Sequence, residues 1–363
     1  MRTLLLAALT LASFCAPAQD WQRVAAPFVA HWPDDHGAHT QFQTEWWYTT
    51  GNLVADDGAR FGFQVTQFRH GIDPPAPAEG RSAWRIEQVY AAHLAVADLG
   101  AQRFVHAERV RRGGVLLAHA RPKELDVWLD DWSLARHAEG AREELRLQAS
   151  DRESALGLTL TLVPLRAPLL HGTDGISSKG ALAGNATVYM SWTRLSVEGT
   201  LDIGGVHRHV RGEAWFDHEW GTSQLGAGVV GWDWFGLRFE DGRELMLYRL
   251  RAADGSLVPQ SLATLIEKDG RATTLRAEEV VLETLARWES PHSKASYPAR
   301  WKLSVPGHAL ECTLESELPD CEFDARHSSG VIYWEGPVRV SGSTKGEGYG
   351  ELVGYAGSLA GRF

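Results

Sequence analysis

The chain has 363 residues, a formal net charge of −10 at pH 7, and 15 Trp, 12 Phe and 8 Tyr residues. An acidic chain is poorly suited to binding nucleic acid or an anionic membrane surface, so neither is expected as the main partner. This length exceeds what one hydrophobic core usually organises, so two domains are expected.

The first 18 residues have the features of a secretory signal peptide. Arg2 precedes an apolar run from Leu4 to Phe14, and Ala16 and Ala18 form an A-x-A cleavage site. The run is shorter than the roughly 20 residues that span a bilayer, and no later apolar stretch reaches that length. We therefore expect cleavage after Ala18, a secreted or periplasmic mature protein and no transmembrane segment. A lipid-modified N-terminus at Cys15 is the alternative.

Alternation of apolar and polar residues with a period of two dominates the mature sequence. It is clear at residues 61–66 and 156–162, and it predicts half-buried β-strands. The dipeptides Asp57-Gly58, Gly204-Gly205 and Asp241-Gly242 predict tight turns between strands. The sequence therefore predicts an all-β fold.

A weak internal repeat supports two domains of related design. The segments Glu45–Arg69 and His218–Arg251 each contain Glu-Trp, a Trp-rich strand, an Asp-Gly turn and a strand ending in Arg. We place the boundary at the Gly204-Gly205 turn, which gives domains at 19–204 and 205–363.

Two cysteines remain once the signal peptide is removed. Cys312 and Cys321 are close in sequence, and an oxidising compartment would favour their pairing. Two thiols are too few for a structural zinc site, which takes four ligands. A local disulfide is therefore predicted.

The longest loop, Pro168–Asn185, is rich in Gly and contains His171, Ser177 and Lys179. A loop of this length in a compact barrel is often a lid or part of a site. A flexible surface connection is the alternative.

Several segments, in this order and spacing, resemble the AttH-like and carotenoid hydratase family of two-domain lipocalin-like proteins. They are DDHGAHTQFQTEWWYTTGNL, YAAHLAVADL, HGTDGISSKG, YMSWTRLSVEGTL, RGEAWFDHEWGTSQLGAGVVGWDWFGLRFEDGREL and GYGELVGY. The resemblance implies two calycin-type antiparallel β-barrels packed side by side, with a ligand cavity near their interface. The family includes hydratases that add water to isoprenoid double bonds, and many bacterial members are labelled secreted hydrolases.

The segment from Trp215 to Trp220 carries the strongest catalytic pattern. On a regular strand one face carries Trp215, Asp217 and Glu219, and the other carries Phe216, His218 and Trp220. Burial among aromatic rings raises the pKa of a carboxyl group, and Trp faces stabilise a nearby cation. We therefore predict Asp217 as the proton donor. The other catalytic candidates are Glu219, His218 and Glu45. The alternative is that these carboxylates pair with Arg or backbone N–H groups as scaffold.

Clustered aromatic residues are predicted to line a cavity for a hydrophobic ligand, although all-β cores also favour such residues. The predicted ligand-binding residues are Trp46, Trp47, Tyr48, His93, Tyr189, Trp215, Trp220, Trp232 and Trp234.

Other chemistry has weaker support. The sequence contains no G-x-S-x-G motif, which argues against a serine hydrolase. Two groups contain possible metal ligands, the first spanning Asp34 to His39 and the second formed by His207 and His209, but neither defines a full ligand set. We predict no metal and no cofactor.

The favoured function is binding of an isoprenoid, polyketide or lipid with hydratase or isomerase chemistry. A lipid carrier without catalysis and a carboxylate-dependent hydrolase are the alternatives, and the oligomeric state is left open.

Overall fold

The computed structural model describes residues 20–75, 82, 84–114, 116–140, 142–222, 225–226 and 228–360. The predicted signal peptide lies outside these residues. Within the described part of the chain, no helix is both long and apolar enough to cross a membrane.

The described residues form 23 strands in two antiparallel sheets, with three short 3-10 helices at Asp34–His36, Ala277–Glu279 and Pro306–His308. The strands of the first sheet are β1 (Thr44–Ala55), β2 (Arg60–Gly71), β3 (Gln88–Asp98), β4 (Arg103–Arg112), β5 (Ala118–Ala120), β6 (Asp126–Leu129), β7 (Trp132–Glu139), β8 (Arg142–Asp151), β9 (Leu156–Pro164), β10 (Leu169–Leu170), β11 (Ser177–Ser178), β12 (Ala186–Ile203) and β13 (Val206–Gly221).

The second sheet contains the remaining strands. They are β14 (Val229–Phe239), β15 (Glu244–Ala252), β16 (Leu262–Ile266), β17 (Ala272–Arg276), β18 (Val281–Glu289), β19 (Ser296–Val305), β20 (Leu310–Ser316), β21 (Glu322–Ala325), β22 (Val331–Gly342) and β23 (Gly346–Val353).

Each sheet curls around its own core. The first runs in the order β4-β3-β2-β1-β13-β12-β9-β8-β7-β6-β5, yet Trp47 and Phe63 share one core with Leu134 and Leu160 from the other half of the sheet. The second runs β17-β16-β15-β14-β23-β22-β20-β19-β18 around a core that includes Phe235. The expected all-β fold with two lipocalin-like antiparallel barrels is confirmed.

The two barrels pack side by side through strands near the middle of each sheet. The Asn52 side chain on β1 accepts a hydrogen bond from Arg238 on β14, with 2.6 Å between the guanidinium nitrogen and the amide oxygen. A Cβ on Gly62 would lie 2.9 Å from Pro337 Cγ, so the sheets approach closely at this point. Along β1, β12 and β13, successive side chains therefore point alternately into the first core and towards the second barrel.

The division between the sheets lies later than the boundary placed at residue 204. The Gly204-Gly205 turn joins β12 to β13, which are paired in the first sheet. β13 also pairs with β1 along most of its length, from Val210 to Gly221, so the chain enters the second sheet only between Gly221 and Val229.

The disulfide prediction is wrong for this structure, because Cys312 and Cys321 are both buried and free. Cys312 pairs with Gly342 on β22, whereas the Cys321 carbonyl accepts a hydrogen bond from Glu335 of the same strand. At about 3.3 Å per residue those contacts lie roughly 20 Å apart along β22. A disulfide needs Cα atoms about 4.4–6.8 Å apart.

We therefore expect both thiols to stay reduced in native protein purified without reductant. Alkylation under denaturing conditions, followed by mass measurement, should modify both Cys312 and Cys321. A protein that takes up alkylating agent only after reduction would contradict the observed separation.

Candidate active site between the two barrels

The interface between the barrels is lined by aromatic and acidic side chains from both sheets. Tyr48, Tyr189 and Trp215 of the first sheet share one buried cluster with Trp234 and Tyr248 of the second, and the half-buried Trp46 and Trp232 pack against it. Alternation along β13 turns Trp215, Asp217 and Glu219 towards this interface, while Phe216 packs in the first core. The two faces are those that the strand period predicts.

Asp217 lies at the centre of the first-sheet wall and is only 3 % exposed. One carboxylate oxygen, Oδ1, accepts hydrogen bonds from Trp215 Nε1 at 2.6 Å and from the Ser191 hydroxyl. The other, Oδ2, accepts one from the Tyr189 hydroxyl at 2.8 Å. Burial raises the pKa of Asp217 to about 7, although these three donors lower it. The group can therefore hold a proton near neutral pH.

Tyr189 connects Asp217 to the second sheet. Its hydroxyl accepts a hydrogen bond from Trp234 Nε1 at 2.8 Å while it donates to Asp217. The Trp234 ring meets Trp215 and Tyr48 edge-to-face, with ring centroids 6.1 Å and 5.2 Å apart. Aromatic rings in these orientations surround the acid with π-electron density.

The second sheet contributes two further carboxyl groups, Glu335 on β22 and Glu351 on β23. They are cross-strand neighbours, and Glu351 is also the neighbour of Trp234. The Tyr48 hydroxyl donates to Glu335 Oε1 at 2.5 Å, and Tyr48 is itself the cross-strand neighbour of Asp217. The site therefore has carboxyl groups on both walls, with Tyr48 between them.

The environments of these two groups also favour the protonated form. Burial raises the pKa of Glu335 well above its usual range, and nearby Glu351 adds to the effect. Burial likewise raises the pKa of the half-buried Glu351 to about 7, against a hydrogen bond that Trp232 Nε1 donates at 2.6 Å. Neither residue is among those that the sequence predicts for the site. Each Glu follows a Tyr by two residues, Tyr333 or Tyr349, on a strand rich in aromatic residues, and so shares a strand face with it. That pattern is the signal that the sequence offers.

The long loop delivers two polar side chains to the site. The Lys179 ammonium lies 2.9 Å from Glu219 Oε1 and 3.9 Å from the centroid of the Tyr248 ring. His171 Nε2 lies 2.7 Å from the Ser191 hydroxyl, which donates to Asp217. Ser177 is buried as well, so this loop is part of the site and not a surface connection.

Four of the predicted site residues face the first core instead of the interface. The Glu45 carboxylate accepts hydrogen bonds from Arg69 Nε at 2.9 Å and from His218 Nε2 at 2.8 Å. Trp47 stacks on His218 with ring centroids 5.0 Å apart, and Trp220 packs beside the same histidine. Burial alone would raise the pKa of Glu45, but Arg69 and His218 lower it, so the carboxylate stays ionised.

His93 lies on β3 and contacts residues of the second barrel. Its Nδ1 is 2.8 Å from the Tyr333 hydroxyl, and its Nε2 is 2.8 Å from the Ser328 hydroxyl. Burial lowers the pKa of His93 to about 3, so the ring is neutral and links the two sheets. The exposed His207 and His209 lie 2.8 Å from Asp202 and 3.2 Å from Asp56, respectively.

Residues 23–355 match the family model for AttH-like proteins. This chain belongs to the AttH-like family. The AttH-like chain is similar to the structure of a candidate AttH from Nitrosomonas europaea, with 32 % identity, a TM-score of 0.81 and coverage of 92 % of this chain and 99 % of that one. No curated protein matches the AttH-like chain in sequence.

Two more distant structures share the fold of this AttH-like protein. Kievitone hydratase from Nectria haematococca has a TM-score of 0.68 at 16 % identity, with coverage of 93 % of this chain and 96 % of that one. CghA in complex with Sch210972 has a TM-score of 0.51 at 14 % identity, with coverage of 87 % and 89 %.

Proposed function

We propose that this AttH-like protein binds an uncharged, apolar small molecule between its barrels and adds water to a double bond of that molecule. The observation that carries the proposal is Asp217, a buried carboxyl group whose pKa lies near 7, enclosed by Trp215, Tyr189 and Trp234. The structural similarity to kievitone hydratase supports the same reaction class.

The first step would be proton transfer from the Asp217 carboxyl group to one alkene carbon. This transfer forms a C–H bond, leaves a carbocation at the other carbon and leaves Asp217 as a carboxylate. The faces of Trp215 and Trp234 would stabilise the cation, because the π-system of an indole attracts positive charge.

The second step would be attack by water on the carbocation. A C–O bond forms, and the proton that the water loses passes to the Asp217 carboxylate that the first step leaves. Asp217 is thereby restored to its carboxyl form for the next cycle. Run in reverse, the same steps remove water, and loss of a different proton from the cation moves the double bond.

The uncharged character of the ligand follows from the carboxyl groups. An anionic head group near Asp217, Glu335 and Glu351 would be repelled by any of the three that is ionised. We also propose that the mature protein acts outside the cytoplasm, on the basis of the N-terminal 18 residues.

The proposal is tested by offering neutral isoprenoid and polyketide alkenes to the purified protein in oxygen-18 water. We expect a product that gains one labelled water. Tight binding of an alkene without label incorporation would favour the lipid carrier, and label appearing in a carboxylic acid from an ester would favour the hydrolase.

We further expect an apolar probe to quench the tryptophan fluorescence of the mature protein at micromolar concentration. Trp46 and Trp232 are half-buried beside the site and would change environment when it fills. Trp132→Phe is the matched control, because Trp132 is buried in the first core and its loss should leave the probe-dependent change intact. If no apolar probe changes the tryptophan emission, the proposed binding of apolar molecules at this site is contradicted.

A further inference from the structure

A second cluster of polar side chains lies inside the first barrel, on the faces of β1 and β13 opposite to Asp217. His39 Nδ1 lies 2.9 Å from Glu45 Oε1, and His218 Nε2 lies 2.8 Å from the same oxygen. All three residues are buried, and one ligand atom from each lies within 4.8 Å of the others. Among the described residues, this is the group of His, Cys, Asp and Glu side chains that converges in this way.

The residues behind this group orient it as the outer shell of a metal site does. Asp35 Oδ1 lies 3.2 Å from His39 Nε2, which leaves Nδ1 of the same ring directed at Glu45. Arg69 Nε lies 2.9 Å from Glu45 Oε2 and fixes the carboxylate from its far side. Histidine ligands of metals almost always donate their second ring N–H to a carboxylate or carbonyl, as His39 does to Asp35, whereas Nδ1 of His218 has no partner among the described residues.

The barrel interior around the group also contains buried polar atoms without partners. Both amide atoms of Gln67, Nη1 of Arg69 and Nδ1 of His218 make no hydrogen bond. Gln67 and His218 are the two cross-strand neighbours of Trp47, on the interior face. Buried polar groups normally have partners, so these atoms indicate that the interior receives a polar guest.

We propose that His39, Glu45 and His218 bind a divalent transition-metal ion inside the first barrel. Two imidazole nitrogens and one carboxylate oxygen are ligands that suit zinc, and the same set binds iron(II) when further positions stay open. Water supplies the remaining position.

This site is independent of the proposed hydratase chemistry. Glu45 and His218 face the first core, whereas Tyr48 and Asp217 on the same two strands face the second barrel. Loss of the metal and loss of turnover are therefore separate results.

The test uses the full mature protein stripped with a chelator and then dialysed against zinc or cobalt(II). We expect one tightly held ion per chain, and a cobalt(II) absorption spectrum of nitrogen and oxygen ligands. His218→Gln should abolish both, whereas His207→Gln, on the exposed strand surface, should change neither. X-ray absorption of the zinc-loaded wild type should show two imidazole ligands, which keeps the test decisive if the His218 variant does not fold.

Failure of the wild type to retain zinc or cobalt(II) at micromolar concentration would overturn the proposal. The same holds if the ion is lost with His207→Gln and kept with His218→Gln, because the binding would then be a surface property. In either case Glu45 serves only as the centre of a buried hydrogen-bond network.

Discussion

Replacing Asp217 with asparagine is expected to lower turnover about 10²–10⁴-fold, the usual contribution of a general acid. Asparagine keeps the size of the side chain, and its oxygen can still accept hydrogen bonds from Trp215 Nε1 and the Ser191 hydroxyl. Its amide group has no acidic proton to transfer to a double bond. Ligand affinity should therefore change little, and so should thermal stability below about pH 4, where the wild-type side chain is also uncharged.

The control for this variant is Asp98→Asn. Asp98 is another buried aspartate, but it ends β3 and accepts a hydrogen bond from the backbone N–H of Ala101. Its replacement should leave turnover unchanged. Full activity in the Asp217 variant, or its failure to fold, would show that Asp217 is scaffold and would end its assignment as the acid.

The same assignment predicts a pH dependence. The acid form of Asp217 is present below its pKa of about 7, so turnover should fall as the pH rises through 7. The raised pKa means that the folded protein holds a proton that the unfolded chain releases near pH 4. The contribution of this group to the free energy of unfolding is therefore lost as the pH rises from about 4 to 7. Asp217→Asn should remove that part of the slope in denaturant titrations at several pH values.

The largest loss of stability is expected from Arg69→Met, which should lower the free energy of unfolding by about 3–5 kcal/mol. Arg69 and Glu45 are both fully buried, with 2.9 Å between Nε and the carboxylate oxygen. Removing the guanidinium leaves a buried carboxylate without its main counter-charge. It also frees the carbonyl groups of His39 and Phe42, which accept hydrogen bonds from Arg69 Nη2.

Arg339→Met provides a matched control. Arg339 and Glu315 are also cross-strand neighbours and pair at 3.0 Å, but their side chains are 57 % and 46 % exposed, and exposed pairs contribute at most about 1 kcal/mol. Combining Arg69→Met with Glu45→Gln should recover part of the loss, because the uncompensated charge disappears. Chemical denaturation that shows equal, small effects for Arg69→Met and Arg339→Met would contradict a stabilising role for the buried pair.

Local patterns in the sequence were sufficient for the features that depend on neighbouring residues. The two-residue period of a strand assigned Trp215, Asp217 and Glu219 to one face and Phe216, His218 and Trp220 to the other, because successive side chains alternate across a sheet. The all-β class follows from the same period, and the resemblance to the family supplied the barrel architecture.

Partners that are distant along the chain were decided only by the tertiary structure. β1 pairs with β13, so Tyr48 becomes the neighbour of Asp217, and packing of the second sheet brings Glu335 to Tyr48. The sequence puts Glu335 and Glu351 on the same strand faces as Tyr333 and Tyr349, but it does not indicate contacts with the first sheet.

Sequence proximity was also a poor guide where strands intervene. Cys312 and Cys321 are close in sequence but contact β22 at points seven residues apart, Gly342 and Glu335, so the expected disulfide does not form. The predicted site residues likewise divide into two groups. Trp47 and His218 face the first core, whereas Tyr48 and Asp217 face the second barrel. Strand period determines that adjacent residues take opposite faces, but only the packing of the two barrels determines which face becomes the core and which becomes the site.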